Sequence, residues 1–188
     1  LYVHRSKFDA VSEAISAAVK GMSVGAGMDM TAQINPMTTL KHQTSVCRYL
    51  DIAKQQGAQI ICGGGKAERA GYFVEPTVII GAAAHDTIMT EEVFGPVMAI
   101  VPFDTVDEAI ALANDSVYGL AASLWTNDLT AMHNIVPRIE AGTVWVNTHV
   151  PLDPSMPFGG FKQSGMGREF GKGSVEAFTE IKSICIAH

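Results

Sequence analysis

Residues 143–169, TVWVNTHVPLDPSMPFGGFKQSGMGRE, decide how the rest of the chain is interpreted. The stretch opens with residues 143–146, a run of β-branched and aromatic residues that is typical of a buried strand. After Asn147 the chain loses any helical or strand period, but it keeps large apolar side chains among prolines and glycines. Surface loops are usually polar, so an apolar, stiff loop at the end of a buried strand indicates a segment that lines a site. The alternative is a loop that packs on its own core.

The composition is that of a folded domain. The chain has 188 residues, of which 47% are hydrophobic and 17% are charged, enough for a sizeable core. Its net charge is −6 and it has no basic stripe, so we expect no nucleic-acid partner. No apolar run approaches the roughly 20 residues of a membrane span, so we expect no membrane partner. The first residue is Leu1 and not Met, and we therefore expect the chain to begin inside a longer protein or to be a processed piece of one.

The three cysteines are Cys47, Cys62 and Cys185. They are too few and too scattered for a disulfide framework or a zinc site, so we predict no metal site and a reducing, cytoplasmic setting. A nucleophilic cysteine needs a lowered pKa and a partner base, and none of the three has such a setting. Structural burial is the better interpretation, so we predict that none of the three cysteines is a nucleophile.

Helical and strand periods alternate along the chain. Ser6 resembles the start of a capping box before the first helix, and a second helix is expected from Thr38 or Thr39 to Gly57. Residues 73–80 read as a strand, which we place at a sheet edge because Pro76 interrupts it. Strands that alternate with helices favour parallel pairing, so we predict an α/β fold with a mostly parallel sheet and flanking helices.

The second half of the chain also contains local patterns that predict helix caps and a last strand. Thr105 and Glu108 form a capping box, and Asp128 caps a helix that Pro137 must kink or shorten. Residues 180–187 read as a last strand with apolar groups on much of both faces, which is unusual for a solvent-exposed tail.

The block EEVFGPV at residues 91–97 contains two adjacent carboxylates, Glu91 and Glu92. Neighbouring side chains diverge, so this is a poor acid/base pair. A single carboxylate can instead accept hydrogen bonds from the two hydroxyls of a ribose. The alternative is a solvated turn.

Two motifs carry a family resemblance. The Trp-Val-Asn at residues 145–147, followed by PFGGFKQSGMGRE at residues 157–169, closely resembles the C-terminal signature of the NAD(P)-dependent aldehyde dehydrogenase superfamily. The EEVFGPV block resembles that family's cofactor-contact motif, and similarity extends over essentially the whole chain. The resemblance implies that residues 1–178 are the C-terminal part of the catalytic domain and that residues 179–188 are a tail strand for oligomerisation. Such a strand extends a neighbour's sheet, which implies a homodimer or homotetramer.

The resemblance also implies site residues. Glu92 would bind the nicotinamide ribose of NAD or NADP, and Phe94 would pack near the nicotinamide ring. Val150, Leu152 and Phe158 match positions that line the family's substrate tunnel. The nucleophilic cysteine and the general-base glutamate of the family would both lie upstream of this chain.

The activity that the resemblance implies is the oxidation of an aldehyde to a carboxylic acid. A cysteine thiolate attacks the aldehyde, hydride passes to NAD(P)+, and water hydrolyses the thioester. Residues 149–154, HVPLDP, look like forms that accept arylacetaldehydes such as phenylacetaldehyde. The alternatives are a coenzyme-A-acylating semialdehyde dehydrogenase and, from another class, a non-catalytic assembly fragment. We interpret His149 as structural or merely exposed, and Lys162 and Arg168 as loop anchors or solvated side chains rather than an anion site.

Overall fold

The computed structural model of this chain describes residues 1–187. Some of its strands, such as residues 77–80 and 143–146, are short runs rich in β-branched residues. Contacts divide the chain into two compact units, the first from Leu1 to Ala109 and the second starting at Ile110. Parallel pairings predominate and helices flank the main sheet, which confirms the predicted α/β class. The elements of the first unit are β1 (Tyr2–His4), a 3-10 turn (Arg5–Lys7), α1 (Phe8–Lys20), α2 (Leu40–Gln55), β2 (Gln59–Cys62), β3 (Thr77–Ile80), α3 (Thr87–Thr90) and β4 (Val97–Phe103), and α4 (Val106–Asn114) contains the boundary.

The main sheet of the first unit has the strand order β1-β4-β3-β2 and carries a helix on each face. Val78 and Ile79 are successive residues of β3, so their side chains point to opposite faces. Val78 joins a buried cluster with Ile100, and the apolar side of α1 packs against it. Ile79 joins a second cluster with Val46 and Leu50 of α2. Each fully buried aliphatic side chain of this kind contributes about 1.5–3 kcal/mol, so the two clusters fix both helices on the sheet.

The capping predictions were correct for α2 and wrong for α1. The Thr39 Oγ1 accepts a hydrogen bond from the His42 amide at 3.1 Å, and Gly57 follows the helix with a φ of 95°. Ser6 lies inside the 3-10 turn, where its amide donates to His4 Nδ1 at 3.3 Å. The turn moves the start of α1 to Phe8, so Ser6 is not at the position from which a side chain can cap that helix.

The predicted edge position of the strand around Pro76 was also wrong. β3 begins at Thr77, after the proline, and lies inside the sheet between β4 and β2. Because Pro76 is outside the ladder, its missing N–H removes no hydrogen bond from the sheet. The Thr77 amide donates to the Pro96 carbonyl at 2.8 Å, where β3 and β4 start side by side.

The elements of the second unit are β5 (Tyr118–Gly119), β6 (Ala121–Leu124), α5 (Leu129–Ile135), a 3-10 turn (Val136–Arg138), β7 (Thr143–Val146), β8 (Phe161–Lys162) and α6 (Gly173–Glu176). β6 pairs with β7 in parallel, and β5 pairs with β8 antiparallel. The Asp128 Oδ1 accepts from the Ala131 amide at 3.0 Å and caps α5, as predicted. Pro137 falls in the 3-10 turn that ends α5, which confirms that the helix is shortened there.

The C-terminal tail has no strand at residues 180–187 of the single described chain. The predicted strand is one that pairs with a neighbouring subunit, so it stays a prediction, as does the division into residues 1–178 and 179–188. Residue 188 lies outside the described residues. Within residues 1–187, none of the helices combines the length and the apolar character needed to cross a bilayer.

Candidate functional site

The turn between α3 and β4 separates the two adjacent carboxylates. The Tyr49 hydroxyl, on α2, donates to Glu91 Oε2 at 2.8 Å, and this hydrogen bond together with desolvation raises the pKa of the Tyr49 phenol. The side chain of Glu92 is exposed and has no hydrogen-bond or ion-pair partner among the described residues. Glu91 is therefore already engaged within the protein, and Glu92 is the carboxylate that is available to a ligand.

The Phe94 ring is exposed to solvent. The side chain is 73% exposed, and the backbone has a φ of 53°, a region that a bulky L-residue rarely adopts. The Phe94 carbonyl lies 2.7 Å from His42 Nε2 on α2. A carbonyl oxygen only accepts hydrogen bonds, so the ring nitrogen of His42 carries the proton and donates. The exposed ring therefore extends from a backbone that the hydrogen bond from His42 holds in place.

One stripe of α2 makes all of these contacts. His42, Val46 and Tyr49 are spaced at i, i+4 and i+7, which places them on the same face of the helix. Between the two hydrogen bonds, Gly95 packs so closely on Val46 that a Cβ at this glycine would meet both Val46 methyl groups at 2.8 Å. The stripe thus holds the turn at three points and leaves Glu92 and the Phe94 ring facing outward.

The apolar loop of the second unit begins at Asn147, directly after β7. Asn147 has a φ of 55°, which asparagine tolerates better than most residues. Its Nδ2 donates to the Thr126 carbonyl at 2.8 Å, and its Oδ1 accepts from the Thr126 amide at 2.9 Å. This paired contact with the segment after β6 fixes the point where the strand turns into the loop.

Trp145 organises the loop from the end of β7. Its ring is nearly buried, and its Nε1 donates to the Pro151 carbonyl at 3.1 Å. The His149 ring makes an edge contact with Trp145 at a centroid distance of 5.6 Å, and its Nδ1 lies 2.7 Å from Ser123 Oγ. The Phe158 ring stacks on Trp145 at 6.5 Å with an interplanar angle of 25°. These contacts agree with the interpretation of His149 as a structural or exposed residue.

The predicted tunnel residues divide into two groups. Val150 and Leu152 are 52% and 49% exposed, and Val150 has a φ of 62°. Phe158 is half-buried against Trp145, and its backbone pairs with Glu169 through two hydrogen bonds of 2.8 Å. Two of the three side chains are thus presented on the surface of the loop, while the third supports it and offers only part of its ring.

Two cations fasten the later part of the loop. Lys162 Nζ lies 2.7 Å from Glu140 Oε2 and donates to the Asn114 carbonyl at 2.6 Å. Arg168 donates to the Gly160 carbonyl at 3.0 Å. These contacts agree with the loop-anchoring interpretation, because both cations donate hydrogen bonds to backbone carbonyls of the protein.

The cysteines show no nucleophile setting among the described residues. Cys62 is buried, and desolvation raises the pKa of the partly buried Cys47 thiol, the opposite of what a nucleophile requires. Cys185 is exposed, so the expectation of structural burial was wrong for this residue. It lies in the tail, where the described chain supplies nothing to cover it. No cluster of three or more His, Cys, Asp or Glu side chains able to hold a metal occurs within residues 1–187.

Sequence reasoning missed His42 as a site residue. It gave no site role to either His42 or Tyr49. The partners of these residues lie 52 and 42 positions away, so no local pattern signals the contacts. Glu92 and Phe94 share one turn of the first unit, and Val150, Leu152 and Phe158 share one loop of the second.

Comparison with known proteins identifies the fold. The chain matches the aldehyde dehydrogenase family over residues 1–184. It is 44% identical over 190 residues to a phenylacetaldehyde dehydrogenase of Pseudomonas fluorescens, covering 100% of this chain and 38% of that protein. An NAD+ complex of an aldehyde dehydrogenase from Bacillus cereus superposes with a TM-score of 0.94 at 40% identity, covering 97% of this chain and 37% of that one. An aldehyde dehydrogenase of Mycobacterium tuberculosis complexed with NAD+ gives 0.91 at 44% identity, covering 95% and 37%.

The chain spans 38% of the length of the Pseudomonas protein, so the matched region is one part of a longer relative. Within that part, the two superpositions cover almost the whole of this chain. The chain belongs to the aldehyde dehydrogenase family.

Proposed function

We propose that this chain forms part of an enzyme that oxidises an aldehyde to a carboxylic acid with NAD or NADP. Family membership supports the reaction class, and two solved relatives are complexes with NAD+. The observation within this chain that carries the proposal is the turn at residues 91–95. It presents a free carboxylate and an exposed aromatic ring on a backbone held at three points.

The residues of this turn fit a pyridine dinucleotide. An ionised carboxylate has acceptor sites only, which suits the two hydroxyl donors of a ribose, and Glu92 has no competing partner among the described side chains. The Phe94 ring offers a flat apolar surface to the nicotinamide. When bound, NAD or NADP supplies the acceptor for the hydride that leaves the aldehyde carbon.

The residues of this chain serve the reaction by binding and orienting. None of the three cysteines suits a nucleophile, so the thiolate that attacks the aldehyde is proposed to lie upstream, where the family resemblance implies it. Hydride loss then leaves a thioester on that cysteine, and water hydrolyses the thioester to the carboxylate. Glu92 and Phe94 orient the hydride acceptor.

An apolar aldehyde, such as an arylacetaldehyde, is the proposed substrate class. Val150, Leu152 and Phe158 present apolar surface on a loop that Trp145 and Asn147 hold in place. Small-molecule sites are typically apolar with few polar groups, which this loop matches. The 44% identical protein from Pseudomonas fluorescens is named for phenylacetaldehyde, which supports the same class.

The test of the cofactor role is the substitution Glu92→Gln in the full-length protein. A charge-assisted hydrogen bond to the ribose becomes a neutral one, so dinucleotide affinity should fall by about 1–2 kcal/mol, roughly tenfold. The matched control is Glu91→Gln, whose amide oxygen still accepts from Tyr49, and its affinity should stay near that of the wild type. Equal affinities for the two variants, measured by fluorescence titration with NAD+ and NADP+, would contradict a ribose role for Glu92.

Assembly into a homodimer or homotetramer is a further part of the proposal. Ile181, Ile184 and Ile186 are at least 75% exposed on the tail, and an isolated domain rarely leaves such a row uncovered. A tail strand at residues 179–188 beside a domain of residues 1–178 would cover these side chains on another subunit. Sedimentation of the full-length protein should show an oligomer that Ile184→Lys weakens. A wild-type protein that is monomeric at micromolar concentration would contradict the proposed assembly.

A cytoplasmic location is also proposed, and the unpaired thiols of the three cysteines support it.

A further inference from the structure

Phe94 combines two features that rarely occur together. Its φ of 53° lies in the left-handed region, which a phenylalanine enters only when its surroundings impose it. Its side chain is 73% exposed, so packing of the ring is not what imposes it. The direction in which the side chain leaves the main chain is therefore set by the backbone of the turn.

The contact that fixes this backbone is the hydrogen bond from His42. The Nε2–H donates to the Phe94 carbonyl at 2.7 Å, a short distance for this type of bond. His42 is itself immobilised, because its amide is capped by Thr39 Oγ1 at 3.1 Å and its ring is half-buried on the first turn of α2. The fully buried Val46 and Leu50 anchor the same helix in the core.

The remaining contacts of the turn act on either side of Phe94. Tyr49 holds the side chain of Glu91, three residues earlier, and Val46 limits the space at Gly95, one residue later. Neither contact is a hydrogen bond to the peptide group that follows the Phe94 Cα. His42 is thus the residue whose loss would free that peptide group without removing anything from the exposed ring.

We propose that His42 is a positioning residue for the dinucleotide, which orients the Phe94 ring toward the nicotinamide through the Phe94 carbonyl. The inference rests on the cofactor role proposed for Glu92 and Phe94. His42 acts through the backbone, so its contribution depends on one ring N–H donor and not on the charge of the imidazole. A side chain of similar reach with an N–H donor, such as glutamine, should replace it.

The experiment uses three variants of the full-length protein. His42→Ala removes the donor, His42→Gln keeps an N–H donor at similar reach, and His85→Ala is a control, because His85 is an exposed histidine of the same unit. Amide hydrogen exchange of residues 91–95 is followed first in the ligand-free protein. We expect His42→Ala to raise exchange in this segment by about tenfold, with His42→Gln and His85→Ala close to the wild type.

Dinucleotide affinity is then measured on the same proteins by fluorescence titration. Loss of one neutral hydrogen bond predicts about two- to tenfold weaker binding for His42→Ala, and recovery in His42→Gln. Unchanged affinity in His42→Ala, or unchanged exchange at residues 91–95, would overturn the positioning role alone. Wild-type protein that bound neither NAD+ nor NADP+ would overturn the proposed cofactor role and this inference with it. If His42→Ala did not fold, weakened binding in a folded His42→Gln protein with normal exchange would also contradict the proposal.

Discussion

The indole Nε1 of Trp145 donates to the carbonyl of Pro151 at 3.1 Å, which ties the buried end of β7 to the stiff loop that follows it. The bond spans six residues and closes the loop on the ring that Phe158 stacks against. Because Pro151 cannot donate from its own nitrogen, its carbonyl is the only backbone group through which this residue can be fastened. One side chain therefore sets the position of the segment that carries Val150 and Leu152.

The substitution Trp145→Phe keeps an aromatic ring but removes the donor and part of the volume. The hydrogen bond is worth about 0.5–1.5 kcal/mol and the lost packing adds to it, so we expect the free energy of unfolding to fall by about 2–3 kcal/mol. Trp125→Phe is the matched control, since Trp125 is 63% exposed, and it should cost less than about 0.5 kcal/mol. Urea unfolding followed by circular dichroism measures both values. Equal losses in the free energy of unfolding for the two variants would mean that neither the Trp145 hydrogen bond nor its packing contributes to stability.

Leu152→Ala tests whether the loop faces a substrate. Leu152 is 49% exposed, so its truncation should leave the melting temperature nearly unchanged. If Leu152 contacts an apolar aldehyde, losing its methyl groups should shift the ratio of kcat/KM for an aryl and a short aliphatic aldehyde by about tenfold or more in the full-length enzyme. Met166→Ala, at a fully exposed position of the same loop, should leave the ratio alone. A large loss of stability with an unchanged ratio would show that Leu152 is a core residue instead.

Gly142 sits where the chain enters β7 and has no room for a side chain. A Cβ there would overlap the backbone carbonyl of Gly159, which belongs to the apolar loop and is not a flexible side-chain end. Gly142→Ala should therefore cost at least about 3 kcal/mol, because the backbone must shift. A Cβ at Gly173 meets nothing within 4 Å, so Gly173→Ala should be neutral or slightly stabilising. Thermal unfolding of the two variants checks the contrast, and a stable Gly142→Ala protein would show that the loop can move away.

The three thiols should react with iodoacetamide in a fixed order. In the monomeric chain Cys185 is exposed and should react first, whereas Cys62 is buried and should react last. Desolvation raises the pKa of the Cys47 thiol, so at pH 8 its thiolate fraction is below that of a free cysteine and its reaction should be slow. Peptide mass spectrometry at timed intervals gives the rates, and unfolded protein, in which all three should react alike, is the control. A rapidly reacting Cys47 would mean that it has an activated setting after all.

Several features of the fold were predicted correctly because their causes are local. Thr39, Asp128 and the Thr105–Glu108 pair cap helices through contacts that span three residues, and Pro137 shortens α5 by its own geometry. The β-branched runs became strands for the same reason. Two local predictions failed because a neighbouring element changed where the predicted helix or strand begins. A 3-10 turn took Ser6 away from the cap of α1, and β3 started late enough to leave Pro76 outside the sheet.

The sequence by itself determined the class of fold, the N-terminal caps of α2, α4 and α5, the family motifs and the apolar character of the loop at residues 147–169. Only the tertiary structure decided which of the two adjacent carboxylates is available to a ligand, because the hydroxyl that bonds to Glu91 comes from Tyr49, 42 positions away. It also decided the conformation of Phe94, whose carbonyl meets His42 across 52 positions. Such contacts depend on how α2 packs against the sheet, and that packing is a sum over buried side chains that no short pattern encodes.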